Sequence, residues 1–172
     1  MLLGISTYSY GWAIGTEEYR PDNAMDEREL VRTYIQFGLR CLQIGDNVPL
    51  HTFTAERLVA LQKIVQEREL RIETGARQLT DDNVRRYLEI CQDLNSPLLR
   101  FVIDGEKYEP NNDTVQGIIR NALSGLKKRN VTLGIENHDR FKAKQLATII
   151  ENITAIYAVI KKFSAVEGRR KP

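Results

Sequence analysis

Short apolar runs alternate along this chain with longer stretches in which apolar residues recur every three or four positions. The runs lie at 3–7 (LGIST), 40–44 (RCLQI), 70–74 (LRIET), 98–103 (LLRFVI) and 131–135 (VTLGI). Each is short and dominated by Leu, Ile and Val, so each is predicted to be a strand. Between them, 25–37 carries Leu30, Val31, Tyr34, Ile35 and Phe37 at helical spacing. The segment 55–69 follows Thr54 and carries Leu58, Leu61, Ile64 and Val65; 81–94 follows Thr80 and carries Val84, Tyr87, Leu88 and Cys91. The segment 114–129 repeats the pattern, and 143–153 gives a fifth helix after the last strand. Threonine placed just before an apolar-periodic segment is helix N-cap chemistry.

Strict alternation of strand and helix, in units of about thirty residues, implies a parallel sheet covered by helices. An open doubly wound sheet and a closed (β/α)8 barrel both fit. Side-chain parity separates them, because alternate strand residues face opposite sides. One parity is aliphatic: Leu3 and Ile5, Leu42 and Ile44, Leu70 and Ile72, Leu99, Phe101 and Ile103, Leu133 and Ile135. The other is mixed: Gly4, Ser6 and Tyr8, Cys41, Gln43 and Gly45, Arg71, Glu73 and Gly75, Arg100 and Val102, Thr132, Gly134 and Glu136. Helices on both faces would demand two apolar parities. A mixed second face instead suits a barrel interior whose upper end is a polar pocket.

A full barrel takes about 250 residues, whereas this chain has 172. The alternation supplies five units, and past residue 153 the text (ITAIYAVIKKFSAVEGRRKP from 153 on) shows no further strand–turn–helix unit. The expectation is therefore an α/β chain in which 1–153 form a partial TIM barrel and 154–172 an atypical tail. In that tail Tyr157, Ile160 and Phe163 suggest a short helix and GRRKP a solvated end.

Composition narrows the picture modestly. The chain is 42% hydrophobic and 28% charged with a net charge of +2, an ordinary globular balance that points to neither nucleic acid nor membrane. No apolar run is long enough to span a bilayer, and the N-terminus lacks signal-peptide character. Cys41 and Cys91 belong to no C-x-x-C pair and read as free thiols, which suits a cytoplasmic location. Phosphate-loop, dinucleotide, nucleophile-elbow and H-E-x-x-H motifs are all missing from the sequence.

The candidate chemistry gathers where strands end. In LGIENHDRF (133–141), Glu136 closes the fifth strand at its carboxyl end, where ligands collect in parallel sheets. A carboxylate there can hold a divalent ion or take a proton from carbon beside a carbonyl. It can equally be a structural partner of Arg100 or Arg140. His138 could ligate a metal or bond a substrate hydroxyl, Asn137 could fix the loop, and Asp139 is expected to pair with Arg140. Gln43 and the turn Gly45-Asp46-Asn47 end the second strand at the same rim. Glu73 and Arg100 share the inner parity and could form a buried pair, or Arg100 could hold a sugar hydroxyl or phosphate. Tyr8, Tyr10 and Trp12 leave the first strand as aromatic wall candidates, while His51 in the next loop is a weaker one.

The segments LGISTYSYGWAIG, GLRCLQIGDNVPL, SPLLRFVID and NVTLGIENHDRF resemble, in order and spacing, the sugar phosphate isomerase/epimerase family of xylose isomerase-like TIM barrels. The resemblance runs from about residue 3 to 153. It implies a divalent-metal-dependent isomerase or epimerase that moves a proton next to a ketose carbonyl, with Glu136 as metal ligand and acid/base. Tyr8, Trp12, Gln43, Arg100 and His138 become substrate-binding candidates for a sugar or sugar phosphate. The family completes its site with an Asp, a His and a Glu from the sixth, seventh and eighth strands, and these have no counterpart here. Binding of Mn, Mg, Co or Zn is accordingly expected to be weak or absent. The alternative is a non-catalytic half-barrel used for binding or assembly, as a homo-oligomer joined through the open barrel edge. The related endonuclease IV branch needs several histidines and basic DNA loops, against two histidines and a charge of +2 here.

Overall fold

A computed structural model gives the fold and describes residues 3–16, 18–136 and 140–154. Five strands form one sheet: β1 (Gly4–Ser6), β2 (Cys41–Ile44), β3 (Arg71–Arg77), β4 (Leu98–Val102) and β5 (Thr132–Glu136). All neighbours are parallel and the spatial order is β1-β2-β3-β4-β5. Doubly wound sheets reverse strand order at a switch point; this sheet never does. It is the wall of a partial barrel, as the parity implies.

Each crossover carries a helix: α2 (Glu27–Gln36), α3 (Ala55–Glu67), α4 (Asp81–Asp93) and α5 (Asn112–Arg129), with α6 (Ala143–Thr154) after β5. A 3-10 turn (Thr7–Tyr10) and a single helical turn, α1 (Gly11–Ile14), follow β1; neither was predicted, being too short to carry a period. The N-caps are side-chain acceptors. Asp26 takes the amides of Arg28 and Glu29, Thr54 that of Arg57, Thr80 that of Asn83 and Asn111 that of Thr114. Capped by Asn111, α5 starts at Asn112, two residues before the predicted position. The helix ends at Asn130 in the left-handed region (φ 53°), a conformation asparagine tolerates better than most residues.

The aliphatic parity packs under the helices. Leu42, Ile44, Ile72, Leu99, Phe101, Ile103 and Leu133 are buried against Leu30, Val31, Leu61, Val84, Leu88, Ile119 and Leu126. Leu3 is the exception: it is exposed beyond the first strand. One polar residue, Thr74, sits on this face, and its hydroxyl donates to the Leu98 carbonyl at 3.2 Å beside Cys91 Sγ at 3.0 Å. The Ser96 hydroxyl donates to the same carbonyl, so the hydroxyls of Thr74 and Ser96 are both satisfied. Residues 155–172, with the expected helix around Tyr157, lie outside the described residues.

Candidate functional site at the carboxyl rim

β3 runs three residues beyond its predicted end, through Gly75-Ala76-Arg77. The register sets Gly75 opposite Arg100 on β4, and Arg100 opposite Gly134 on β5. The one large side chain of this layer is thus flanked by two residues without any. Gly75 also suits the packing: a Cβ there would lie 3.0 Å from Gly45 Cα and 3.2 Å from the Ile44 oxygen, tighter than most such contacts. One layer higher, Arg77, Val102 and Glu136 lie in register across β3, β4 and β5.

Arg100, with its side chain 18% exposed, lies between three acceptors. Its Nη1 donates to Gln43 Oε1 at 3.4 Å and its Nη2 to Asp46 Oδ1 at 3.4 Å. Its Nε forms an ion pair with Glu136 Oε2, in charge contact without hydrogen-bond directionality. The guanidinium also lies 5.7 Å from the Tyr8 ring centre, a cation–π distance.

Asp46 is the most connected group of the rim. Its side chain is only 9% exposed, and it accepts from the Tyr8 hydroxyl at 2.8 Å and from Arg77 Nε at 2.8 Å as well as from Arg100. Burial by itself would raise its carboxyl. The hydrogen bonds from Arg77 and Tyr8 outweigh burial and hold it below the ordinary carboxylate range. Burial and the bond to Asp46 push the Tyr8 phenol up, so Tyr8 stays a neutral donor. Behind this cluster, buried Thr7 donates to Asn47 Oδ1 at 2.6 Å and accepts from Gly45 N at 2.9 Å, which fixes the β2 turn.

The structure therefore brings Tyr8, Gln43, Arg100 and Glu136 together. Trp12 stands apart: it is 71% exposed, and its ring partner among the described residues is Tyr19 at 5.8 Å. His138 falls among residues 137–139, outside the described residues. Glu73 does not pair with Arg100. Its Oε1 accepts from Arg71 at 3.1 Å and its Oε2 from Gln43 Nε2 at 3.4 Å, because the register sets Arg100 opposite Gly75, one layer above Glu73. Arg140 pairs with Asp104 (2.6 Å) and donates to the Pro110 carbonyl, which ties the chain after β5 to the β4–α5 connection. His51 Nδ1 lies 3.0 Å from the buried Tyr87 hydroxyl, outside the rim cluster. One rim residue escaped the sequence reading, Arg77, which a period of two carried past Thr74 would have found; Asp46 was placed at the rim by its turn, but its pairing with Tyr8 and two arginines was not legible.

Among the described residues no three His, Cys, Asp or Glu side chains converge as metal ligands. Glu136 is ion-paired to Arg100, and one engaged carboxylate is a poor match for an ion that takes six or more oxygens. The described donor set does not fit a divalent metal.

Comparisons with known proteins place this architecture. A solved D-psicose 3-epimerase, crystallised with D-fructose, superposes with a TM-score of 0.65 over 89% of this chain and 60% of its own, at 12% identity. The same TM-score is found for a xylose isomerase-like TIM barrel protein from Mycobacterium smegmatis in complex with magnesium, over 89% of this chain and 61% of its own, at 10% identity. The chain has the fold of the xylose isomerase-like TIM barrels, in part. In sequence it is 22% identical over 153 residues to the 3-oxo-isoapionate decarboxylase of Pectobacterium atrosepticum, covering 89% of this chain and 54% of that protein. It thus spans about half the length of the curated relative it matches. No family model matches the chain. The relation to sugar epimerases, isomerases and decarboxylases of this fold is distant, and no helix of the described residues is long and apolar enough to cross a membrane.

Proposed function

We propose that the rim binds a sugar-like hydroxylated carbonyl compound and that Glu136 exchanges a proton on the carbon next to the carbonyl. The observation that carries the reading is the placement of Glu136 at the carboxyl end of β5, its side chain 37% exposed and held by Arg100. The position is the one where parallel barrels carry catalytic groups. Tyr8, Gln43 and Arg100 supply hydroxyl, amide and guanidinium groups beside it, suited to sugar hydroxyls and to a carbonyl oxygen gaining negative charge. The epimerase and decarboxylase relatives act on substrates of this kind by their names, which supports the substrate class.

The test is deuterium exchange. The chain is incubated with a ketose such as D-fructose in D2O, with and without added Mg2+ or Mn2+, and label at the carbons flanking the carbonyl is followed by NMR. Label is expected to appear with the parent chain and to fall at least a hundredfold with Glu136→Gln. Equal labelling by the variant would remove Glu136 from the reaction, and the paired metal arms read directly whether an ion is required.

A second reading, ligand binding without turnover, has one observation in its favour: Glu136 is engaged by Arg100, and no three metal-ligating side chains gather among the described residues. The same experiment separates the two, since this reading predicts shifted sugar resonances and no label.

A further inference from the structure

Arg77 is the rim residue with hydrogen-bonding capacity to spare. Arg100 spends its guanidinium on Gln43, Asp46 and Glu136. Arg77 carries five N–H donors, of which Nε–H goes to Asp46 at 2.8 Å; the Tyr8 hydroxyl is the other polar group beside it. Its terminal nitrogens remain on a side chain that is 40% exposed, at the top of the inner face. Asp46 orients this guanidinium without supplying a full counter-charge, because the same carboxylate also serves Arg100.

The backbone fixes this placement from behind. Asn83 Nδ2 donates to the carbonyls of both Arg77 (2.7 Å) and Gln78 (3.1 Å), and Gln78 turns the chain with φ 67°. Gly105 lies against the Gln78 side chain, where a Cβ would come within 2.9 Å. Arg77 is therefore held at its main chain, at its Nε and by the neighbouring Tyr8 hydroxyl, with N–H groups of its planar fork still to spare. That arrangement suits bidentate recognition of an oxyanion.

Register adds the reach. Arg77 and Glu136 are in the same layer, one strand to either side of β4. Two strand spacings separate their backbones by roughly 10 Å. A sugar of five or six carbons can span it with its reacting carbon at one end and a charged group at the other.

We infer that Arg77 is the anchor for an anionic group, a carboxylate or a phosphate, at the far end of the sugar whose reacting carbon faces Glu136. The inference rests on the proposed sugar-binding function and adds the class of substrate: acidic sugars over neutral ones. The Asp46 carboxylate acts as a positioning group that aims the fork and leaves its terminal nitrogens to the ligand.

Affinities for D-fructose, D-fructose 6-phosphate, D-gluconate and inorganic phosphate are measured by calorimetry on the parent chain, Arg77→Gln and Arg77→Lys. Side-chain Nε–H resonances are followed by NMR in parallel. The parent chain is expected to bind one of the two anionic sugars ten- to a hundredfold more tightly than D-fructose. That preference should collapse to near unity in Arg77→Gln and be partly kept in Arg77→Lys, which retains charge without the fork. Whether the phosphate or the carboxylate sugar is preferred identifies the anion. Equal affinity for neutral and anionic sugars in the parent chain overturns the inference and leaves the proposed function standing, as does a preference that survives Arg77→Gln. Inorganic phosphate that shifts the Arg77 Nε–H, with no sugar bound, would uphold the anion site and remove the sugar. Unfolding midpoints of the variants within a few degrees of the parent establish that a lost preference is not a lost fold.

Discussion

Asp46 concentrates the consequences of single-residue change. It is nearly buried and carries the Tyr8 hydroxyl and two guanidinium groups, so Asp46→Asn leaves donors without their charge partner. Breaking such a set typically costs 3–5 kcal/mol when fully buried; with Arg77 substantially exposed, a loss of about 1–3 kcal/mol is expected, read by urea unfolding at pH 7. The pH dependence follows from the same group. A carboxyl whose folded-state value is depressed contributes stability above the unfolded value, near 4, and loses it as pH falls through the folded one. Glu27 acts in the same sense: burial would raise it, but hydrogen bonding and charge from Arg57 bring it down. Stability should thus hold from neutral pH to about 5 and decline below about 4. The gap between parent and Asp46→Asn should narrow over that acid window. A gap that stays constant down to pH 2.5 would mean Asp46 is not charge-coupled as described.

At the level of elements, two glycines of one layer separate packing from mere smallness. Gly75 lies where β2 and β3 approach, and a Cβ would strike backbone atoms of Gly45 and Ile44. At Gly134 the nearest atom to an added Cβ is Leu98 Cδ1, at an ordinary 3.7 Å. Gly75→Ala should cost about 1–3 kcal/mol, as overpacking usually does. Gly134→Ala should be neutral or gain a few tenths of a kcal/mol, because the unfolded chain loses freedom without native strain. Thermal unfolding of both variants checks the contrast, and similar losses for the two would contradict the register. Strand ends were the least legible feature of the elements. The predicted third strand ends at Thr74, before a glycine that weakens a strand interior, yet β3 continues because Gly75 and Ala76 pair with Arg100 and Phe101. That continuation is what brings Arg77 to the rim.

For the whole molecule, the sheet is unevenly protected. β3 and β4 each have a strand on both sides and sit under α4 and α5, while β1 pairs over three residues with Leu3 exposed beyond it. Amide exchange should therefore be slowest in β3 and β4 and faster in β1 by at least an order of magnitude, measured by mass spectrometry. Protection of β1 equal to that of β4 would show that something beyond the described contacts covers that edge. The order of elements, the parallel sheet and the apolar face were determined by the sequence itself. Those features follow from periods of two and three to four along the chain, and such periods report which side of each element is dry. Which acid meets which arginine was decided only by the tertiary structure. Glu73 and Arg100 have the same parity, yet the stagger between β3 and β4 sets them one layer apart, so Arg100 goes to Asp46 and Glu136. Periodicity fixes a side chain's face; only inter-strand register fixes its height on that face, and at this rim height selects the partner.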